Sequence, residues 1–347
     1  MAEVVFAFPG NLATPTGGYR YDRRVIDELR ALRWDVRPVS LPDDFPAPSA
    51  ASLKETDRLL SATTHDAVLL IDGLAYGAFP SPLIDRLRRK IVALVHHPLG
   101  LETGLAAVRA RFLIANECAA LARAARVVVT SRPTAALLFR DFKVPKEMIT
   151  VAEPGTDPAP RARGSQGAPR LLSVGAITPR KGFDTLIEAL AKIADLAWEC
   201  RIAGSLERDP ATTAKLRASI TRLALDGRVT LLGPLDDKQL AEEYDQARLF
   251  VLPSHFEGFG MAFTEAMARG LPVIAGAGGA SVATVPEDAG VLVEPGESEA
   301  LAPVLRRLLT DPAELKRRAD AAWSHAQHLP RWRDTAVAVA GALEQAK

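Results

Sequence analysis

The sequence predicts an α/β protein made of two doubly wound, Rossmann-like domains. Short apolar runs typical of buried strands alternate with amphipathic segments along the whole chain, which is the pattern of a parallel sheet with crossover helices. The chain has 347 residues, more than one core usually fills, so two domains are expected. A single large barrel is the alternative architecture.

The first half of the chain shows this alternation clearly. The amphipathic segment Tyr21–Arg33 places Val25, Ile26 and Leu29 on one face, and a second helix is predicted over 113–125. Short apolar runs predict buried strands over 4–8, 67–71, 91–95 and 127–130.

A break follows at Glu153–Arg170, which holds four prolines and three glycines without apolar periodicity. We interpret it as the interdomain linker. Beyond it the alternation restarts, with strands predicted over 171–175, 200–203, 229–232, 249–252, 272–275 and 290–293, and helices over 183–193, 211–225, 261–269 and 298–310.

The predicted domains are residues 1–158 and 168–325. Residues 330–347 are expected to form a helix that crosses back to the first domain, with Trp332 as its apolar anchor.

Composition excludes several classes of protein. The net charge of +1 offers no basic surface for general nucleic-acid binding. No apolar run approaches the roughly 20 residues that span a bilayer. The N-terminal residues include an acid and lack a long apolar region, so they do not resemble a secretory signal. Cys118 and Cys200 lack disulfide or zinc spacing, so we expect a cytoplasmic protein.

Paired glycines stand before the first predicted helix. Gly17 and Gly18 would let backbone N–H groups approach an anion at a helix N-terminus. Neither the dinucleotide-binding spacing nor a P-loop is present, and a plain turn is an equal alternative.

The stretch 252–275 is the most informative. Glu257 and Glu265 are separated by seven residues, and a glycine-flanked helix start lies between them. Carboxylates accept hydrogen bonds from hydroxyl groups, while the amides of Phe259, Gly260 and Met261 offer an anion site. This combination suits a sugar nucleotide.

The motif E-G-F-G-x-x-x-x-E, followed by A-x-x-x-G-x-P-V-I-A, resembles the E-x₇-E signature of retaining glycosyltransferases of family 4, also called glycosyl transferase group 1. Further matching segments are the Gly17-Gly18 loop, LVHHP with His96, EPGTD at 153–157 and SVGAITPRKGFDTLIEAL at 173–190. The resemblance covers essentially the whole chain and implies the GT-B architecture, two Rossmann-like domains facing a central cleft.

The resemblance also implies residue roles in the second domain. Glu257 would contact hydroxyls of the donor sugar, Glu265 would bind the ribose, and Lys181 would neutralise the leaving diphosphate. Phe259, Gly260 and Met261 would contribute donor-binding amides.

In the first domain, Gly17 and Gly18 would approach the diphosphate or the sugar, and His96 would hydrogen-bond the donor sugar near the reacting carbon. A histidine that only caps a strand end is the alternative for His96. His97 and His255 are interpreted as structural.

One position departs from the family pattern. Many members carry V-G-R where this chain has Val174, Gly175 and Ala176, and that arginine pairs with the later lysine on the diphosphate. Arg180, directly before Lys181, is our hypothesis for the second positive charge.

The predicted reaction transfers a sugar from a nucleoside diphosphate sugar to an acceptor hydroxyl, with retention and without a metal or other cofactor. No D-x-D motif follows a predicted strand, and Asp43-Asp44 and Asp236-Asp237 are interpreted as surface turns. Three rivals stay open: a nucleotide-sugar epimerase, a phosphorylase, and a sugar-nucleotide-binding protein without turnover.

The acceptor, whether glycan, lipid or small molecule, is not identified. Asp72-Gly73, Tyr76 and the 100–104 loop are candidate acceptor positions, with ordinary turns as the alternative. The apolar and basic segment 108–114 would also fit a peripheral contact with the inner face of the membrane.

Overall fold

A computed structural model describes residues 3–347, which divide into two compact units. Unit 1 contains the described residues up to Gly155 together with Pro330–Lys347, and unit 2 is Thr156–Leu329. The boundary falls between Gly155 and Thr156, so most of the segment interpreted as a linker belongs to unit 2.

Unit 1 is built on a six-stranded, fully parallel sheet of order β2-β1-β3-β4-β5-β6. Its central strands are buried along their whole length because helices cover both faces of such a sheet. The strands are β1 (Glu3–Pro9), β2 (Asp35–Leu41), β3 (Val68–Asp72), β4 (Ile91–Val95), β5 (Arg126–Val129) and β6 (Ile149–Val151).

The helices of unit 1 include the last one of the chain. Thr16 caps the first helix by accepting a hydrogen bond from the Tyr19 amide, so this helix begins at Gly17, before the predicted start at Tyr21. The helices are α1 (Gly17–Ala31), α2 (Ala50–Ser61), α3 (Gly73–Tyr76), α4 (Ser81–Leu87), α5 (Ala107–Leu121) and α6 (Arg132–Asp141), with 3₁₀ turns at Leu99–Leu101 and Lys146–Met148.

Unit 2 repeats the design with a second parallel sheet of order β12-β11-β10-β7-β8-β9. The order reverses between β7 and β10, which is where ligands bind in doubly wound sheets. The strands are β7 (Arg170–Val174), β8 (Glu199–Ala203), β9 (Val229–Gly233), β10 (Leu249–Leu252), β11 (Val273–Gly276) and β12 (Gly290–Val293).

The helices of unit 2 pack their apolar faces onto this sheet around a core that includes Trp198, Phe250 and Phe263. They are α7 (Phe183–Ala191), α8 (Pro210–Arg222), α9 (Asp237–Gln246), α10 (Met261–Met267), α11 (Ser281–Thr284), α12 (Ser298–Thr310) and α13 (Pro312–Ala326), with a 3₁₀ turn at Pro179–Lys181. The last helix of the chain, α14 (Trp332–Gln345), belongs to unit 1.

The alternation of apolar runs did not reveal β2. Its residues DVRPVSL are half exposed and include Pro38, which a strand tolerates only at the edge of a sheet because proline donates no hydrogen bond. The interpretation of Asp236-Asp237 as a surface turn was wrong: Asp236 accepts a hydrogen bond from the Gln239 amide and begins α9.

No helix within residues 3–347 combines the length and apolar character needed to cross a membrane.

Candidate active site

In unit 2, four polar side chains meet at the carboxyl edge of the sheet. We call Arg180, Lys181, Ser254 and Glu257 the acid–cation cluster. Ser254 and Glu257 follow β10, while Arg180 and Lys181 lie in the turn between β7 and α7. Because β7 and β10 are parallel neighbours, the loops that leave their carboxyl ends lie side by side.

Glu257 is the centre of this cluster and is 6% exposed. Lys181 Nζ lies 2.6 Å from Glu257 Oε1, and Ser254 Oγ donates to the same oxygen at 2.6 Å. Arg180 approaches Oε2 at 3.4 Å and donates to the Phe256 carbonyl at 2.7 Å. Two cations therefore face one carboxylate, and the net charge of the cluster is positive.

The cluster fixes the ionisation of Glu257. Burial would raise the pKa of this carboxyl, but the charges of Lys181 and Arg180 outweigh it and lower the pKa to about 2. The side chain is therefore a permanent anion at neutral pH that can accept, but not donate, hydrogen bonds.

Glycines let the backbone approach closely enough to form the cluster. Gly182, in the left-handed region with φ 65°, lies against Pro253, where a Cβ would meet the carbonyl oxygen at 2.2 Å. Gly279, with φ 64°, lies against Glu257 in the same way, at 2.3 Å. The Glu257 carbonyl also accepts the Ala280 amide at 2.7 Å.

The sequence analysis did not single out two of these supports, Ser254 and the Gly278–Ala280 loop. A signal for the loop was present in the GAGGA run directly after a predicted strand. Ser254 carried no signal, because a lone serine after a strand is common.

The remaining predicted donor residues of unit 2 follow Glu257 along the chain. Glu265 accepts a hydrogen bond from Tyr244 at 3.2 Å, in the second turn of α10. Gly260, with φ 95°, precedes α10 and provides no side-chain cap. The Phe259 carbonyl is bound by Thr284 at 2.7 Å, and Met261 is the first residue of the helix.

Ala176 provides no charge, as the sequence already indicates. Its neighbour Gly175 explains how Lys181 reaches Glu257. A Cβ at Gly175 would lie 3.2 Å from Lys181 Cε, so the glycine leaves the space that the lysine stem occupies. Arg180 is 22% exposed and shares Glu257 with Lys181.

Unit 1 carries a second cluster, formed by Asp22, Asp72 and His96, which we call the histidine cluster. Asp72 ends β3 and His96 follows β4, its parallel neighbour, while Asp22 lies on α1. His96 Nε2 lies 3.0 Å from Asp22 Oδ1 and 3.9 Å from Asp72 Oδ2. Both carboxyl side chains are buried, and the histidine side chain is 22% exposed.

Burial and the neighbouring charges shift the pKa values of Asp72 and His96. Burial, reinforced by the charge of Asp22, raises the pKa of Asp72 to about 8. Burial would lower the pKa of His96, but Asp22 and then Asp72 outweigh it and raise the pKa. Both shifts favour the protonated form of the group, which is an uncharged carboxyl at Asp72 and a charged imidazole at His96.

Aromatic side chains hold the imidazole from another side. The rings of Tyr21 and His96 meet edge to face with centroids 5.1 Å apart, and Trp332 of α14 packs on Tyr21 at 5.8 Å. The Tyr21 hydroxyl donates to the Ala152 carbonyl at 2.9 Å. The C-terminal helix thus supports the histidine cluster through Tyr21.

The paired glycines belong to the first turn of α1 rather than to a loop before it. A Cβ at Gly18 would lie 3.6 Å from His96 Cδ2, whereas Gly17 has open space around it. Of the candidate acceptor positions, Asp72 joins the histidine cluster, and Tyr76 is buried and donates to the Ala120 carbonyl, which favours a structural interpretation for Tyr76.

Among the described residues, Asp22, Asp72 and His96 also meet a spacing that metal sites require, with one ligand atom from each within 4.8 Å of the others. A carboxyl must lose its proton to bind a cation, so a proton on Asp72 and a metal ion would compete for this cluster.

Comparison with solved structures identifies the fold. Sucrose-phosphate synthase from Thermosynechococcus elongatus superimposes with a TM-score of 0.84 at 24% identity, covering 99% of each chain. HepE of Anabaena, solved in complex with UDP-glucose, gives 0.80 at 19% identity over 99% of this chain and 100% of that one. The chain has the GT-B fold, which confirms the predicted fold class.

The match to a protein family lies within unit 2. Residues 159–324 match the family model described as glycosyl transferases group 1. The chain is 34% identical over 235 residues to D-inositol 3-phosphate glycosyltransferase 1 of Catenulispora acidiphila, an alignment that covers 61% of this chain and 56% of that protein.

The chain is also similar to the MMP alpha-(1->4)-mannosyltransferase of Mycolicibacterium hassiacum, with 27% identity in an alignment that covers 87% of this chain and 76% of that protein. The chain thus spans little more than half of the first relative's length and about three quarters of the second's.

Proposed function

We propose that this chain is a retaining glycosyltransferase of family 4 that transfers a sugar from a nucleoside diphosphate sugar to an acceptor hydroxyl. The acid–cation cluster is the observation that carries the proposal. It lies inside the matched range 159–324, at the topological switch point of the second sheet, and combines a permanent carboxylate with surplus positive charge.

The two halves of the cluster suit the two halves of such a donor. Ionised Glu257 accepts hydrogen bonds, so it suits the hydroxyls of the sugar. Lys181 and Arg180 suit the diphosphate, on which negative charge grows as the bond to the sugar breaks. Lysine has three donors, so Lys181 can bind a phosphate oxygen while it keeps Glu257.

The remaining roles follow the family pattern. Glu265 is assigned to the ribose, and the backbone of Phe259, Gly260 and Met261 to the donor. In unit 1, Gly17, Gly18 and His96 are assigned to the diphosphate and the sugar. HepE, which shares the fold, binds UDP-glucose in its solved complex, and this supports a nucleoside diphosphate sugar as the donor here.

Release of nucleoside diphosphate tests the activity. UDP- and GDP-sugars are first screened by thermal shift, since a ligand that binds only the folded state raises its stability. Turnover with candidate acceptors then follows, and NMR of the anomeric proton reports retention. Free epimerised donor would indicate an epimerase, strict phosphate dependence a phosphorylase, and tight binding without turnover a sensor.

Arg180 is proposed to replace the arginine that the family carries at Ala176. We expect Arg180→Ala to weaken donor binding about tenfold, the loss of one charge-assisted hydrogen bond, and Ala176→Arg in that background to restore part of it. Unchanged donor affinity and turnover in Arg180→Ala would exclude this role.

We further propose that transfer needs no metal or other cofactor, because lysine and arginine supply the cations at the diphosphate. Activity that EDTA abolishes and Mg²⁺ or Mn²⁺ restores would contradict this.

The location stays a prediction. Cys118 and Cys200 are both free, which suits a reducing compartment such as the cytoplasm. On α5, Val108 and Phe112 are 72% and 57% exposed and lie one turn apart beside Arg111. This surface is the proposed site of a peripheral contact with anionic lipid, which vesicle sedimentation of Phe112→Ser tests.

A further inference from the structure

In the histidine cluster, the two carboxyl groups lie at different distances from the imidazole, which the residue types alone do not indicate. Two buried carboxyls share one imidazole, and they bind it differently. Asp22 lies at hydrogen-bonding distance from His96 Nε2, whereas Asp72 is nearly an ångström farther from the same nitrogen.

Each oxygen of the two acids can be assigned. Asp22 Oδ1 pairs with the imidazole, and Asp22 Oδ2 is buried without a donor among the hydrogen bonds of residues 3–347. Asp72 Oδ1 accepts the Leu74 amide at 2.6 Å and so begins α3. One ligand atom each of Asp22, Asp72 and His96 lies within 4.8 Å of the other two, so the two buried carboxyl groups would repel each other unless one of them carries a proton.

We propose that Asp72 carries that proton and donates it to Asp22, so that an ionised Asp22 holds His96 as an imidazolium whose Nδ1–H is presented to a substrate oxygen. Asp22 is then a positioning residue for His96, and Asp72 is a neutral hydrogen-bond donor. The proton satisfies the otherwise unpaired Asp22 Oδ2, and the cluster as a whole is electrically neutral.

The surroundings agree with this assignment. Burial of an unpaired second carboxylate is strongly unfavourable, whereas a carboxylic acid hydrogen-bonded to a carboxylate avoids that penalty. The group that faces the ring from α1, besides Asp22, is the neutral phenol of Tyr21, whose pKa is raised well above its ordinary value by burial. Behind Tyr21, the Arg24 guanidinium lies over Trp332 at 5.2 Å.

Both carboxyl groups approach the imidazole at Nε2, so Nδ1 is the nitrogen left for a ligand. An imidazolium offers a donor there, while a neutral ring that donates through Nε2 would offer an acceptor. A hydroxyl or phosphoryl oxygen that accepts a hydrogen bond is therefore the ligand chemistry that this cluster recognises. The nature of that substrate rests on the proposed function, but the protonation state does not.

Two isosteric variants distinguish the two acids. Asp22→Asn removes the ionised partner, so the titration midpoint of His96, followed by NMR on histidine-labelled full-length protein, should move down by about one pH unit or more. Asp72→Asn replaces a protonated acid with an amide that donates the same hydrogen bond, so the midpoint should stay well above that of Asp22→Asn. His96→Gln assigns the resonance.

Asp66→Asn is the matched control, because Asp66 lies 3.4 Å from His65 in an exposed pair and should leave the His96 midpoint unchanged. The opposite order of the Asp22 and Asp72 variants, or equal shifts in both, would overturn the proposal. So would stoichiometric Zn²⁺ binding at micromolar concentration that removes the His96 titration, since that would identify a metal site.

None of these readouts requires turnover. If His96 titrates as expected but no sugar donor reacts, the proposed function fails and the proton assignment stands. If transfer occurs and the two variants titrate alike, the reverse holds.

Discussion

The two units place a buried acid and a cation at the same edge of the same kind of sheet, yet they control charge in opposite ways. In the acid–cation cluster one carboxylate faces a lysine and an arginine, and its pKa falls to about 2. In the histidine cluster two acids face one histidine, and the pKa of Asp72 rises to about 8. Charge is permanent in the first and depends on a proton in the second.

This difference follows from the number of fixed cations. Lysine and arginine keep their charge across the physiological range, so a single carboxylate beside them must ionise. A single histidine cannot support two buried carboxylates, so one acid retains its proton. The same fold therefore holds one cluster whose charge is constant at physiological pH and one cluster whose charge depends on pH.

The largest expected effect concerns the support of the histidine cluster. Trp332→Ala removes a buried indole that packs on Tyr21, and we expect a loss of about 3–5 kcal/mol in the free energy of unfolding, together with a shifted His96 resonance. Chemical denaturation and NMR measure both. Val337→Ala, at an exposed site on the same helix, should change stability by less than about 0.5 kcal/mol.

If Trp332→Ala loses stability but leaves the His96 signal in place, the helix stabilises unit 1 without positioning the histidine.

A slightly smaller effect tests the acid–cation cluster. Lys181→Met leaves buried Glu257 with Arg180 as its one remaining cation in the cluster, so we expect about 3 kcal/mol less stability. The proposed sugar transfer should slow by about 10²–10³-fold, as when a transition-state donor is lost. Thermal unfolding and nucleotide release measure the two effects.

Lys192→Met is the control for that variant. Lys192 pairs with Glu299 at 2.7 Å in an exposed pair, so its loss should change stability and rate little. Equal losses in the two lysine variants would show that burial of Glu257 is not what makes the cluster important.

The smallest expected effect is the opposite pH dependence of the two clusters. The depressed pKa of Glu257 contributes stability that is full above its ordinary pKa of 4.5 and is lost as pH falls through about 2. The raised pKa of Asp72 acts the other way, with a contribution that is full below 3.8 and lost as pH rises through about 8.

Asp72→Asn should therefore stabilise the protein more at pH 8 than at pH 5. We expect the gain in Tm to be about 2–4 °C larger at pH 8. Asp66→Asn, which removes an exposed carboxylate, provides the baseline. A gain that does not grow with pH would indicate that Asp72 is ionised in the folded protein.

The fold could be predicted from local pattern because buried parallel strands are continuous apolar runs with little ambiguity. β4 and β10 show this, since both are buried throughout, and these two strands and α12 have the predicted bounds. The edge strand β2 was missed because one exposed face and Pro38 remove that signal. The start of α1 was misplaced because Thr16 caps a helix whose first residues are glycines.

The sequence by itself determined which residues could carry chemistry: the E-x₇-E pair, the adjacent Arg180 and Lys181, and His96 after a strand. Tertiary structure alone decided their partners, because the order of strands in a sheet is not written in local periodicity. β10 lies beside β7 and so brings Glu257 to Lys181, and β3 lies beside β4 and brings Asp72 to His96. Burial then set the charge of each group, which no spacing along the chain can reveal.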